Sequence, residues 1–259
     1  NMQDAGQRIT KKTKGIIPVH LFTQMADMTA CMELAKKNNL CVIEDAAEAF
    51  GMKQVFSNQL KTAGTIGDYG VLSFFPTKTL GGYGDGGMIL TSEDIYYQKA
   101  KSLRVHGSSI KYHHDFIGYN SRLDTLQAAI LRVKLQKIDE GIQLRKRRAD
   151  LYNQLLQGIE QIEIPVIKQG NEPVYYVYCL KVEKRDELNA FLSKNGIGTS
   201  IYYPIPLHLQ KCFSYLGHKK GDFPVAERLC DCVLALPMYP ELTEDEVMYT
   251  CDKIREFYS

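Results

Sequence analysis

A lysine and two carboxylates carry the strongest chemical signal in this chain. The run Ser73-Phe-Phe-Pro-Thr-Lys78-Thr-Leu-Gly-Gly-Tyr-Gly-Asp-Gly86 sets one lysine between an apolar segment ending in serine and a glycine-rich turn. Upstream, Val42-Ile-Glu-Asp45-Ala-Ala-Glu48 delivers a carboxylate from the end of another apolar segment. An ε-amine becomes a nucleophile toward an aldehyde when burial or a neighbouring charge tunes it, and the same nitrogen can later act as a base. A carboxylate against a pyridine nitrogen favours the protonated ring, which is then an electron sink. Lys78 and Asp45 are thus the amine and the acid that pyridoxal phosphate requires. Ser73 is placed to donate a hydroxyl to the cofactor phosphate, and Gly81, Gly82, Gly84, Gly86 and Gly87 let the backbone come close. Glu48, three residues beyond Asp45, is placed to share a proton with the cofactor's phenolic oxygen.

Each residue also has a plain structural reading. Taken alone, a lysine beside glycines such as Lys78 is usually a solvated surface residue. Asp45 is alternatively a cap where a strand gives way to a helix, and Glu48 first-turn charge. The pairing of the two segments, rather than either one, gives the chemical reading its weight.

The elements that must position these residues follow from periodicity. Gly15 to His20 reads as a short strand, and Asp27 caps a helix in which Met28, Cys31, Met32 and Ala35 recur at helical spacing. Leu40 to Glu44 returns as a strand, giving a βαβ unit with Asp45 at its carboxyl end, where open parallel sheets hold ligands. Tyr69 to Phe75 and Met88 to Thr91 are further strands, and Ser92 starts a helix toward Arg104. From Leu123 a helical pattern runs past Ile138 to about Leu156, with Gly141 its weak point and the passage to a second domain. Val174 to Val182 reads as a strand, Asp186 to Lys194 as a helix closed by Gly196, and Thr199 to Tyr203 as another strand. Thr243 with Glu246 is a capping box for the last helix.

The chain as a whole resembles the DegT/DnrJ/EryC1/StrS aminotransferases. The runs Ile16-Ile-Pro-Val-His20, Val42 to Glu48, Gly67-Asp68, Ser73 to Lys78, Gly84-Asp-Gly-Gly87, Gly118-Tyr-Asn-Ser-Arg122, Leu123 to Ala129 and Leu236-Pro-Met-Tyr-Pro240 occur in that family's order. The resemblance implies an α/β, fold type I pyridoxal-phosphate transferase. Its large domain, residues 1–140, would have a mostly parallel sheet, and a smaller α+β domain with a linking helix would occupy 141–259. It implies that Lys78 is the Schiff-base lysine, Asp45 the partner of the ring nitrogen and Ser73 a phosphate ligand, with Glu48 where many members carry glutamine. It also implies a homodimer with a shared active site, in which Asn120 reaches the phosphate of the neighbouring subunit and Arg122 faces substrate. Asn120 and Arg122 are otherwise an ordinary loop polar and a helix-start cation.

The segment Tyr112-His-His114, the run from Gly118 to Ile130, and Tyr203-Pro-Ile-Pro-Leu207 look most like enzymes of surface-polysaccharide pathways that act on UDP-linked 3-keto sugars. That likeness makes Tyr203, with Tyr202 beside it, a contact to the sugar nucleotide; strand-end packing is the alternative. The substrates implied are an amino donor such as glutamate and a nucleotide-linked keto sugar. The resemblance also places Asn1 well inside the large domain, so the family's first part, with a Gly-Thr or Gly-Ser helix start and an aromatic residue on the ring, is expected to be absent.

Composition sets the remaining bounds. A chain of 259 residues with 44% hydrophobic content can bury a substantial core. A net charge of +2 is too mild for a nucleic-acid surface, and Arg145-Lys-Arg-Arg148 reads as a solvated helix face. Seven scattered cysteines read as reduced thiols, and neither Cys230 with Cys232 nor His113-His114 has metal-ligand spacing, so no metal is expected. No run reaches membrane-spanning length, which fits a cytoplasmic enzyme with no membrane partner. Three rivals are weighed. A related sugar dehydratase would have histidine in place of Lys78. A dinucleotide-binding oxidoreductase would need glycine spacing that Gly82 to Gly87 lacks. A non-catalytic or split-protein fragment that acts only with a partner is the alternative the expected truncation favours.

Overall fold

Gly15–Ile16, the helix Met28–Asn38 and the strand Cys41–Asp45 form the expected βαβ unit in the computed structural model, which describes residues 1–259. The two strands pair in parallel, Gly15 against Cys41 and Ile16 against Val42. Asp27 caps the helix by accepting from Ala30 N at 3.0 Å. Met28, Cys31 and Ala35, spaced at three and four residues, are its buried face. They pack with Val42, Ala46, Ala49, Met52 and Ala63 into one apolar cluster.

Cys41–Asp45 pairs in parallel with Tyr69–Ser73, and Tyr69–Ser73 pairs antiparallel with Gly87–Leu90. The result is a four-stranded mixed sheet with helices around it, as an α/β fold requires. Two neighbouring parallel strands therefore end side by side at Asp45 and Ser73, with Asp45 in register with Val71.

The chain divides into two compact units, residues 1–142 with 167–176 and residues 143–166 with 177–259. The return of 167–176 differs from a division at 140/141 and has a clear cause. Asn171–Glu172 adds an antiparallel strand to a hairpin, Lys53–Phe56 with Gln59–Thr62, that the sequence reading left unassigned. Ser57 and Asn58 turn that hairpin with φ of 49° and 61°, the left-handed pair of a tight two-residue turn. The buried Gln54 amide then ties three segments together, accepting from Met28 N and donating to Ala26 O and Asn171 Oδ1, each at 3.0 Å.

The second unit has an antiparallel sheet of Ile162–Glu163, Tyr178–Val182 and Val233–Leu236. Its helices include Arg185–Lys194, Pro224–Cys232 and Glu244–Tyr258. Tyr152 and Tyr178 stack at 4.8 Å and are fully buried, and the capping box at Thr243 and Glu246 forms with both of its bonds.

Four local expectations are corrected. The long helix breaks at residues 136–137 into Thr125–Leu135 and Ile138–Leu156 and runs straight through Gly141. Glu93, not Ser92, is the first capping residue of Asp94–Leu103. Tyr175 has φ 53°, which no strand accommodates, so the strand begins only at Tyr178. Of 199–203, only Ser200 makes a bridge, to Ala235.

All seven cysteines are free. Burial pushes the Cys31 thiol up to about 11 and the Cys251 thiol to about 12, so both stay protonated and unreactive. No helix is long and apolar enough to cross a membrane.

Candidate active site

The strand end at Asp45 is pinned from both sides. Asp45 N donates to Pro18 O at 2.9 Å, its carbonyl accepts from His20 N at 3.0 Å, and Ala46 N donates to Val71 O at 3.0 Å. The chain then turns sharply, with Ala47 N donating to the Asp45 carboxylate at 3.1 Å. That turn carries Glu48 into the site, where Lys78 Nζ lies 3.4 Å from its Oε1. Both side chains are largely withdrawn from water, at 15% and 13% exposure, so this ion pair is screened far less than a surface one. The other Glu48 oxygen accepts from Phe22 N at 3.3 Å.

Lys78 is held by a compact turn. Phe75 N donates to Ser73 Oγ at 3.2 Å, and Lys78 N donates to Phe75 O at 2.9 Å. The Ser73 hydroxyl keeps its own proton to donate. Gly81 is required by close approach, since a Cβ there would stand 2.4 Å from Pro76 O; at Gly82 it would stand 2.8 Å from Gln127 Oε1. Gln127 Oε1 accepts from Tyr83 N at 2.7 Å, and Lys134 Nζ donates to Gly81 O at 2.5 Å, so the helix Thr125–Leu135 braces the turn.

The residue before Asp45 on the same strand supplies a third carboxylate. Glu44 is fully buried, as is His20. Its Oε1 accepts from Ile66 N at 2.6 Å and Gly67 N at 2.7 Å, and its Oε2 from Gly64 N at 2.9 Å. His20 Nδ1 accepts from Ala26 N at 3.1 Å, which leaves the ring proton on Nε2 to be donated to Glu44 Oε2 at 2.9 Å. Burial alone would raise the Glu44 carboxyl, but the bonds from His20 and from the Gly67, Gly64 and Ile66 amides outweigh it and hold the group below its ordinary value.

The structure therefore gathers some of the expected residues and leaves others apart. Lys78 and Glu48 touch, and Asp45 and Ser73 end the two strands from which their turns spring. Glu48, expected at a cofactor oxygen, pairs with Lys78 Nζ through one oxygen and with Phe22 N through the other. Asn120 and Arg122 are exposed and bond each other, Arg122 Nε to Asn120 Oδ1 at 3.0 Å. Arg122 also lines a cavity of about 720 Å³ with Gly87, Met88 and Arg104. Tyr203 lies in the second unit, half exposed, with its ring edge to Tyr202 at 5.5 Å. His20, Gln127 and Tyr176 were missed as site residues. Tyr176 sits with its ring 4.7 Å from Lys78 Nζ, and its only sequence signal was membership of a tyrosine-rich segment.

The donor set fits pyridoxal phosphate. A withdrawn amine faces a turn whose first residue is a strand-end carboxylate, a hydroxyl has a proton to give, and the glycine turn leaves no room for side chains. The Thr79 hydroxyl, next to Lys78, is buried without a hydrogen-bond partner, a cost of about 1–3 kcal/mol that a bound polar group would relieve.

Comparison with known proteins adds a family. The profile of the DegT/DnrJ/EryC1/StrS aminotransferase family matches residues 1–255. The chain is 48% identical over 252 residues to a pleiotropic regulatory protein of Geobacillus stearothermophilus, covering 96% of this chain and 67% of that protein. It is 42% identical over 247 residues to the UDP-N-acetyl-3-dehydro-alpha-D-glucosamine 3-aminotransferase of Acidithiobacillus ferrooxidans, covering 95% and 65%. The crystal structure of S. venezuelae DesV in complex with a ketimine intermediate superposes with a TM-score of 0.95 at 35% identity, covering 100% of this chain and 69% of that one. The chain thus spans about two thirds of the length of the relatives it matches.

Proposed function

We infer the function from a shown premise, that the chain belongs to the DegT/DnrJ/EryC1/StrS aminotransferase family, whose members are pyridoxal-phosphate enzymes. On that premise we propose that it moves an amino group from an amino acid such as glutamate to a keto sugar carried on a nucleotide. When bound, the cofactor supplies a carrier for the amino group and an electron sink for the carbon that loses its proton.

The observation that carries the reading is the contact of the Lys78 amine with the turn that Asp45 begins. Lys78 would hold the cofactor covalently and, once displaced, take the proton from Cα of the donor and deliver one to the sugar carbon that gains nitrogen. Asp45 would face the ring nitrogen, and Ser73 with the glycine turn would hold the phosphate. Glu48 keeps the displaced amine in place as an ion pair. Asn120 is proposed to serve the phosphate of a second subunit in a homodimer. Arg122 and Tyr203 are proposed to contact the sugar nucleotide. The Acidithiobacillus relative supports a UDP-linked 3-keto sugar as acceptor, and we assign the product to surface-polysaccharide synthesis in the cytoplasm.

The test is to add pyridoxal phosphate to the 259-residue chain, follow the visible absorption band, reduce with borohydride and map the modified peptide. A pyridoxyl group on Lys78, absent in Lys78→Ala, is expected. Equal incorporation in both proteins, or none in either, would overturn the assignment.

A further inference from the structure

The ring face of Tyr176 meets the amine of Lys78. Lys78 Nζ stands 4.7 Å from its centroid, and its hydroxyl lies 3.2 Å from Thr77 Oγ1. The residue is well anchored: Val174 and Tyr175 before it are buried, and Asn171–Glu172 is paired to Lys53–Phe56. The ring is thus carried on a braced element, and its face attracts the lysine ammonium through the aromatic quadrupole. Glu48 reaches the same nitrogen from the turn at the end of Cys41–Asp45.

We propose that Tyr176 is a positioning residue, whose ring face is the seat that keeps the Lys78 amine in the site whenever that amine is not bonded to the cofactor. The inference rests on the role proposed above for Lys78 and deepens it. A lysine that is displaced and must then carry a proton works only if its nitrogen stays within reach of the reacting carbon. A flexible four-carbon stem does not hold it there. A carboxylate and a ring face together do, and Thr77, one residue before Lys78, ties the ring to the same turn.

The test uses the cofactor-free chain, so its readout is independent of turnover. Lys78 is acetylated with acetic anhydride, and its rate is read by peptide mass spectrometry against the exposed Lys12. Tyr176→Leu is expected to raise the relative rate at Lys78 about threefold or more, the scale of a lost cation–ring contact. Tyr176→Phe, which keeps the ring and drops the hydroxyl, is expected to stay close to the parent. A parental rate in Tyr176→Leu, or a Phe variant as fast as the Leu variant, would overturn the seat. Should Tyr176→Leu not fold, the unaltered chain still decides: the Lys78 ε-methylene protons, assigned by their loss in Lys78→Ala, should lie upfield of exposed lysines through the ring current, and a position among them sinks the proposal. Failure of pyridoxyl trapping on Lys78 removes the proposed function, whereas these readouts address the seat alone.

Discussion

Glu44 and Asp45 are consecutive carboxylates on one strand, yet the pleat sends them to opposite faces. Glu44 faces inward, fully buried, and spends its acceptor capacity on His20 and the amides of Gly64, Ile66 and Gly67. Asp45 faces the strand-end turn, half buried, with Ala47 N on one oxygen. The first region is a satisfied network that fixes where the strand ends. The second is a set of groups, Asp45, Glu48, Lys78 and Ser73, with capacity left to bind something else. Identical side-chain chemistry is structural in one and available for reaction in the other, and the number of donors each carboxylate already holds separates them.

The largest effect should come from the reactive region. Lys78→Ala is expected to lower amino transfer by a factor on the order of 10²–10⁴, the usual contribution of a positioned acid–base group. Its urea midpoint should stay near the parent's, because the lost ion pair is peripheral to the apolar cluster around Met28 and Val42. A midpoint that fell as far as activity would show that Lys78 belongs to the structural region after all.

Next in size is the buried region. Glu44→Gln keeps shape but puts an amide nitrogen where one oxygen now accepts, facing backbone N–H groups that cannot turn away. A loss of about 3 kcal/mol is expected, within the range for breaking a buried charged network. Equilibrium urea unfolding measures it, and a loss below about 1 kcal/mol would contradict the account.

Acid sharpens the same contrast. Because Glu44 is held below its ordinary value of 4.5, the unfolded chain takes up that proton before the folded one does. Its contribution is whole above about pH 4.5 and is lost as the pH falls through the lower folded value. The urea midpoint of the parent should therefore drop on acidification below that point, and more steeply than that of Glu44→Gln. Parallel curves for the two proteins would mean that other carboxylates carry the acid sensitivity.

How much of this was legible in the sequence follows the range of each interaction. The Asp27 cap and the Thr243 capping box are set by residues three positions apart, and the βαβ unit by consecutive strand and helix periodicities, so these read correctly. Lys78 and Asp45 were readable as types, since strand-end placement follows from apolar runs and turn residues. Tyr176 and Gln127 were not, because they reach the lysine turn across 98 and 44 positions, Tyr176 after a strand too short to leave a periodic trace and Gln127 from a helix whose pattern does not say what its polar face meets. The helix break at 136–137 was misplaced onto Gly141 for a related reason: a glycine inside a helix is tolerated at about 1 kcal/mol, so its presence marks no boundary. Glu44 went unremarked as a group of its own because adjacent acidic residues carry no sign of which one faces the core until the strand's register is known.

The smallest expected change in stability makes the sharpest comparison. Asp45→Asn is the same conversion of carboxylate to amide as Glu44→Gln, made one residue later. An asparagine oxygen can still accept from Ala47 N, so the turn survives, and the unfolding free energy measured in urea should change by less than about 0.5 kcal/mol. What is lost is the charge facing the proposed ring nitrogen. A single charge-assisted bond of about 1.5 kcal/mol or more corresponds to roughly tenfold weaker retention of pyridoxal phosphate, read by dialysis and the residual absorption band. If Asp45→Asn instead destabilised the chain as much as Glu44→Gln while retaining the cofactor, both carboxylates would be structural and the contrast between the two faces of the strand would vanish. A stable chain that loses its cofactor would leave Asp45 as the acid that Lys78 needs, distinguished from its neighbour by nothing more than the direction in which a pleated strand points alternate side chains.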